Sequence, residues 1–253
     1  MKIVGGCASD IGRIRKVNQD GIMFRCLRQH GWYFAVGAVC DGIGGLENGE
    51  IASAIIIREI NSWMQEIENW IDIAVIEAEV IFSHLKDQVE VWNEKLFNYK
   101  IINNLQTGTT MSVLMIVRDS YYSIHIGDSR IYLYRDKIKQ ITVDESCNQI
   151  KNGKIKKCLN NYMGKNEKII FQYSQGKIIE GDMFLLCTDG LYHNLQERDV
   201  KKLQGEIKKG KNISESCKGV IKKMIERGET DNISLGIIYV EGAKIFGLKN
   251  SMQ

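Results

Sequence analysis

A chain of 253 residues with 44% hydrophobic and 26% charged content can bury a sizeable core and has an ordinary globular composition. Its net charge of +3 gives no electrostatic case for a nucleic-acid partner, and no apolar run is long enough to span a bilayer. Seven cysteines without a C-x-x-C spacing, and no signal-peptide pattern at the start, point to reduced thiols in a soluble, cytoplasmic protein. Proline is absent, so the turns rely on Gly, Asn and Asp.

Lys2–Ser9 and Gly21–Leu27 read as strands flanking the polar segment SDIGRIRKVNQD, residues 9–20, which carries Arg13, Arg15 and Asp20. The apolar run Trp32–Cys40 reads as a buried strand ending on Asp41, and a glycine turn (Gly42, Gly44, Gly45) leads into a helix. A carboxylate at such a strand end is lifted from the core to where it can reach solvent and a cation. Helices are predicted over Glu50 to about Glu68 and over 72–100, on the spacing of their apolar residues. His84, with no His or Cys at i+3 or i+4, reads as satisfied rather than as a ligand.

From Gly108 the period changes to that of strands: TTMSVLMIV, YYSIHI and RIYLYR. Between the last two, GDSR at 127–130 has the form of a tight hairpin turn with Asp128 at its tip. Residues 144–152 read as a short helix or loop, and 153–167 as a polar, mobile surface segment. Phe171–Ser174 and Ile178–Glu180 suggest two strands about a Gln-Gly turn. Met183–Cys187 is a buried strand followed by Asp189-Gly190, which repeats the Asp41-Gly42 arrangement. Helices at about 196–205 and 213–227 precede a last strand, Ile233–Val240, entered through Asp231-Asn232. The basic clusters Lys154–Lys157 and Lys201–Lys211 read as solvated faces and loops.

Long helices therefore come in pairs and not singly between strands. That argues against a doubly wound sheet and for an α+β arrangement of two antiparallel sheets with helix pairs outside. Asp20, Asp41, Asp189 and Asp231 all lie at strand ends, which can meet at one rim if the sheets stack. Crowded carboxylates repel one another unless a cation neutralises them, and hard oxygen donors suit Mg²⁺ or Mn²⁺ better than Zn²⁺.

The ordered set SDIGRIRKVNQD, DGIGG (41–45), GTT (108–110), GDSR (127–130), TDG (188–190) and DN (231–232) resembles the motifs of the metal-dependent protein phosphatase 2C family, in its compact bacterial form, over residues 5–240. The resemblance implies a four-layer α-β-β-α sandwich, with a catalytic domain over 1–242 and a tail at 243–253. It implies a serine/threonine protein phosphatase that hydrolyses phosphoserine and phosphothreonine through a hydroxide shared by two Mn²⁺ or Mg²⁺ ions. By motif position, Asp41 bridges both metals and the Gly42 carbonyl ligates one. Asp189 and Asp231 complete the other shell, and Asp20 acts close by through water. Asp128 matches a position tied to a weaker third metal, and Arg15 matches the arginine that grips the substrate phosphate. Phosphoproteins, a cognate Ser/Thr kinase and a monomeric state also come with the resemblance.

The chain departs from the family pattern in three places. Gln19 stands where many relatives have Glu. Ile43 stands where some have His, which leaves leaving-group protonation to water, with His193 a distant substitute. The segment between Ser146 and Gly164 is shorter than the usual flap. A phosphatase-like regulatory domain that binds a partner is the alternative function. Nucleotide binding at 42–45 is a third, and the turn matches neither phosphate-loop pattern.

Overall fold

Strand-forming runs at both ends of the chain and in its middle assemble two antiparallel sheets. β1 (Lys2–Asp10), β2 (Asp20–Gln29) and β3 (Trp32–Asp41) come first, followed by α1 (Gly49–Trp70) and α2 (Ala78–Ile102). Next are β4 (Met111–Val117), β5 (Ser120–Ile126), β6 (Arg130–Tyr134) and β7 (Ile138–Gln140), then β8 (Ser146–Lys151) and β9 (Lys154–Leu159). β10 (Gln172–Lys177), β11 (Met183–Cys187), the short α3 (Asp189–Tyr192), α4 (Glu197–Lys208), α5 (Ile213–Glu226) and β12 (Ile233–Glu241) complete the order. The computed structural model describes residues 1–43, 48–70, 72–151 and 154–242. Gly44, Gly45 and the tail at 243–253 lie outside the described residues, as do the side chains at 70, 149–151 and 154–157.

One sheet has the order β1-β12-β11-β6-β7 and the other β10-β5-β4-β3-β2. The alternation of side chains along each strand explains why both faces are apolar. On β3, Phe34, Val36, Ala38 and Cys40 pack against Ile56, Ile60, Trp63, Leu85 and Trp92 of α1 and α2. Ala35 and Val39, on its other face, meet Phe184, Leu186 and Ile238 of the opposite sheet. That opposite sheet buries its outer residues, such as Leu185, Leu235 and Ile237, under Leu203, Cys217 and Val220 of α4 and α5. The expected α-β-β-α layering is what the chain adopts.

Four local expectations are corrected. α2 begins at Ala78, not at 72. Asp72 accepts from Ala74 N at 2.9 Å, and Arg118 holds the Ile73 and Ile76 carbonyls, so 72–77 turns instead of winding. GDSR is not a hairpin: β5 and β6 belong to different sheets, and 127–129 crosses the sandwich with Gly127 at φ +103°. Residues 146–151 and 154–159 form an antiparallel pair of strands, where the sequence predicted a short helix or loop over 144–152 and a polar, mobile surface segment over 153–167. β10 is one continuous strand through Gln175-Gly176, paired with β5 along its length, so no turn interrupts it.

Trp63 sits at the centre of the helical layer, 1% exposed, with its ring edge-on to Phe34 at 6.1 Å and to Trp92 at 6.4 Å. Its Nε1 donates to His84 Nδ1 at 3.1 Å, so His84 is satisfied. Trp63→Ala leaves a large void and removes the donor to His84 Nδ1. It is expected to cost about 3–5 kcal/mol in urea unfolding; a loss below about 1 kcal/mol would show that the layer collapses around the gap.

Candidate metal centre

The register of the strands sets the site. Asp20 and Asp41 are direct partners across the β2–β3 ladder, so their side chains share one face at one end of that sheet. In the opposite sheet, β11 ends at Cys187 and leads through Thr188 to Asp189, while Asp231 stands just before neighbouring β12. Hydroxyls join the two rims: Thr188 Oγ1 and Ser234 Oγ both donate to Asp20 Oδ2, at 2.9 and 2.7 Å. Gly190 is required where α3 meets the start of β12, because a Cβ there would lie 2.2 Å from the Asn232 carbonyl oxygen.

Asn232 ties down the loop that carries Arg15. Its Nδ2 donates to the carbonyls of Ile11 and Val17, at 2.9 and 3.1 Å, and its Oδ1 accepts from Gln19 N at 3.0 Å. The loop thus lies over Asp231, and Arg15 Nη2 donates to Asp231 Oδ2 at 2.6 Å. Gly42 bridges to Thr109, and its N–H donates to the Gln19 carbonyl at 3.0 Å. The Gln19 side chain donates to Glu50 Oε2 at 3.1 Å, so a carboxylate from α1 stands beside the position where relatives have Glu.

The charges are unbalanced. Burial, followed by the negative charge of Asp20, Asp189, Asp128 and Asp231, holds the Asp41 carboxyl well above the usual carboxylate range. Asp20 is pushed up to about 7, chiefly by burial, against the opposing hydrogen bonds from Ser234 and Thr188. The other four predicted aspartates therefore all lie within electrostatic reach of Asp41, and Arg15 feels Asp231, Asp41 and Asp189. Asp128 is 7% exposed and sits on the crossing between the sheets. His193 is not drawn in: it is half exposed, with its nearest carboxylate, Glu229, at 4.0 Å.

The donor set fits a hard divalent cation. Asp20 Oδ1 is buried and has no hydrogen-bond partner, an orphan acceptor beside other carboxylates. Asp20 commits one oxygen elsewhere and Asp231 both, its Oδ1 accepting from Asn232 N at 2.8 Å and its Oδ2 from Arg15, and among the described residues no three acidic, His or Cys side chains close on one point. An ion drawn to the cluster would have to gather the carboxylates and compete with Arg15 for Asp231.

Sequence reasoning held Thr188 and Asn232 inside the motifs TDG and DN without assigning their hydrogen bonds to Asp20 and to the loop, and it missed Ser234. Arg130, within GDSR, likewise had no assigned role; it is clamped by Asp144 at 2.8–3.2 Å and stacks 3.6 Å from the Tyr192 ring.

Fold and rim together define a two-sheet sandwich with a cluster of carboxylates gathered at one rim. The family model described as protein phosphatase 2C matches residues 13–225, and the chain belongs to that family. It is 26% identical to the serine/threonine phosphatase stp of Listeria innocua, over 91% of this chain and 93% of that protein. Among solved structures, the serine/threonine phosphatase Stp1 from Staphylococcus aureus is 21% identical, with a TM-score of 0.78 and 96% of each chain covered. The catalytic domain of the serine threonine protein phosphatase PstP, in complex with two manganese ions, is 21% identical, with a TM-score of 0.73, covering 95% of this chain and 99% of that one.

Proposed function

We propose that residues 1–242 form one catalytic domain, a metal-dependent phosphatase acting on phosphoserine and phosphothreonine in proteins. The observation that carries this reading is the cluster of carboxylates at one rim, in which burial and the neighbouring negative charges raise Asp20 and Asp41, with Arg15 beside them. Asp41 is the shared ligand of two Mn²⁺ or Mg²⁺ ions, the Gly42 carbonyl joins one, and Asp189 and Asp231 join the other. Asp20 supports the ions from beside them, and Asp128 serves a weaker third site. When bound, the pair of ions supplies an activated water and positive charge facing the phosphoryl oxygens.

The chain's own groups do the rest. Thr188 and Ser234 donate to Asp20, leaving its second oxygen for the ions' surroundings. Arg15 offers a planar pair of donors to the substrate phosphate once Asp231 turns to a cation. No protein nucleophile is invoked; Cys187, beside the site, is buried, and burial pushes its thiol up, which keeps it protonated. The substrates are the products of a partner Ser/Thr kinase, and the enzyme works in the cytoplasm as a monomer. No helix among the described residues is long and apolar enough to cross a membrane.

The test is phosphate release from a phosphothreonine peptide with Mn²⁺ and with EDTA. Release that needs the metal is expected; a folded, metal-loaded protein that releases none would favour a regulatory domain that binds a partner. Arg15→Lys should lower kcat/KM for the peptide about 10- to 100-fold, mostly through KM, because one point charge replaces a two-pronged donor. An unchanged KM would remove Arg15 from phosphate binding.

A further inference from the structure

The β8–β9 pair places two cysteines where the sequence shows no motif. Cys147 and Cys158 are direct partners in its register, between Ser146–Leu159 and Asn148–Lys157. Partners across an antiparallel ladder point to the same face with Cα atoms about 4.5 or 5.5 Å apart, depending on the pair type. Both values lie inside the roughly 4.4–6.8 Å that a disulfide spans. Both residues are partly exposed and can be reached from solvent. Of the other thiols, Cys40, Cys187 and Cys217 are buried, and burial pushes them up, which holds them protonated and slow towards oxidants.

We propose that Cys147 and Cys158 are a thiol–disulfide site, closed by a hydroperoxide and reopened by a dithiol. One thiolate attacks an oxygen of hydrogen peroxide; the O–O bond breaks, the sulfur takes that oxygen to become a sulfenic acid, and the other oxygen leaves as hydroxide and picks up a proton to form water. The second thiol then attacks that sulfur, the S–S bond forms and a second water departs, so two thiols and one hydroperoxide are consumed. The crosslink would lock strands whose root touches the metal rim. Asn160 N donates to the Glu145 carbonyl at 2.7 Å, and Glu145 Oε2 accepts from Gly127 N at 3.0 Å, next to Asp128. The proposal does not depend on the cleft's activity.

The test treats the full-length Mg²⁺-loaded protein with hydrogen peroxide and maps thiols by differential alkylation and peptide mass spectrometry. The expected result is a peptide pair joined through Cys147 and Cys158, lighter by two hydrogens, that dithiothreitol returns to alkylatable thiols. In Cys158→Ser, Cys147 should instead accumulate as a sulfenic acid trapped by dimedone, with the thermal unfolding transition preserved. Both thiols still fully alkylatable after peroxide, or either one joined to a different cysteine or to another copy of the chain, would overturn the assignment.

Discussion

Asp41→Asn should lower kcat on a phosphothreonine peptide by at least about 10²–10³-fold while making the metal-free protein more stable. The two effects have one cause. Asp41 is walled in by Asp20, Asp128, Asp189 and Asp231, so its negative charge is costly until a cation balances it. The amide keeps the shape and removes the charge, which relieves the repulsion but takes away the proposed bridging ligand. Loss of one preorganised charged group at a reaction centre costs about 10²–10³ in rate. Relief worth about 1 kcal/mol raises the Tm of a chain this size by roughly 2–4 °C. Activity assays and calorimetry of the same preparation decide the matter. A fall in both activity and metal-free Tm would mean that Asp41 is a structural residue held by neighbours other than the carboxylates.

Metal should stabilise the protein far more at pH 8 than at pH 5. Asp20 is pushed up to about 7 and Asp41 rises well above the usual carboxylate range, both from burial and neighbouring negative charge. A carboxyl whose folded-state pKa is raised contributes stability below its unfolded value near 4, and that contribution is lost as the pH climbs through the folded value. The metal-free Tm is therefore expected to fall between pH 5 and pH 8. A divalent cation needs the deprotonated forms, so its binding strengthens over the same window and releases protons. At a concentration about 100-fold above Kd, Mn²⁺ should add about 2.7 kcal/mol at pH 8, or roughly 5–10 °C of Tm, and much less at pH 5. Equal Mn²⁺ shifts at the two pH values would show that these carboxyls do not titrate with metal binding. In Asp41→Asn both the pH slope and the Mn²⁺ shift should flatten.

The layering could be read from the sequence because its signals are strong and local. β3 is a continuous apolar run, as a strand buried on both faces must be, and the helices come in pairs. The aspartates were legible for the same reason, each ending or opening a strand beside a glycine, Asn or another turn residue. What could not be read depends on which sheet a strand joins. GDSR looks the same whether the chain folds back on itself or crosses the sandwich, and only the pairing of β6 with β11 decides it. The β8–β9 strands carry Lys, Asn and Cys instead of β-branched alternation, so their pairing leaves little trace in composition. The start of α2 was misplaced because Ile73 and Ile76 fit a helical period, while Arg118, 45 and 42 residues away, holds their carbonyls in a turn. The hydroxyls on Asp20 come from partners 168 and 214 residues distant, and neither TDG nor DN reveals that Thr188 and Ser234 turn towards it.

The pairing of β1 with β12 has a consequence for how the molecule is made. β1 has no partner within its own sheet until β12, from Ile233 to Glu241, has been synthesised. The second sheet, by contrast, can zip β2, β3, β4 and β5 between sequence neighbours while the chain is still growing. Folding should then proceed sheet by sheet, with closure of the first waiting on a contact of very high sequence separation and setting the slow step. Asp231 arrives with that last strand, so a nascent chain would carry Asp20 and Asp41 long before it could gather a complete set of acidic groups.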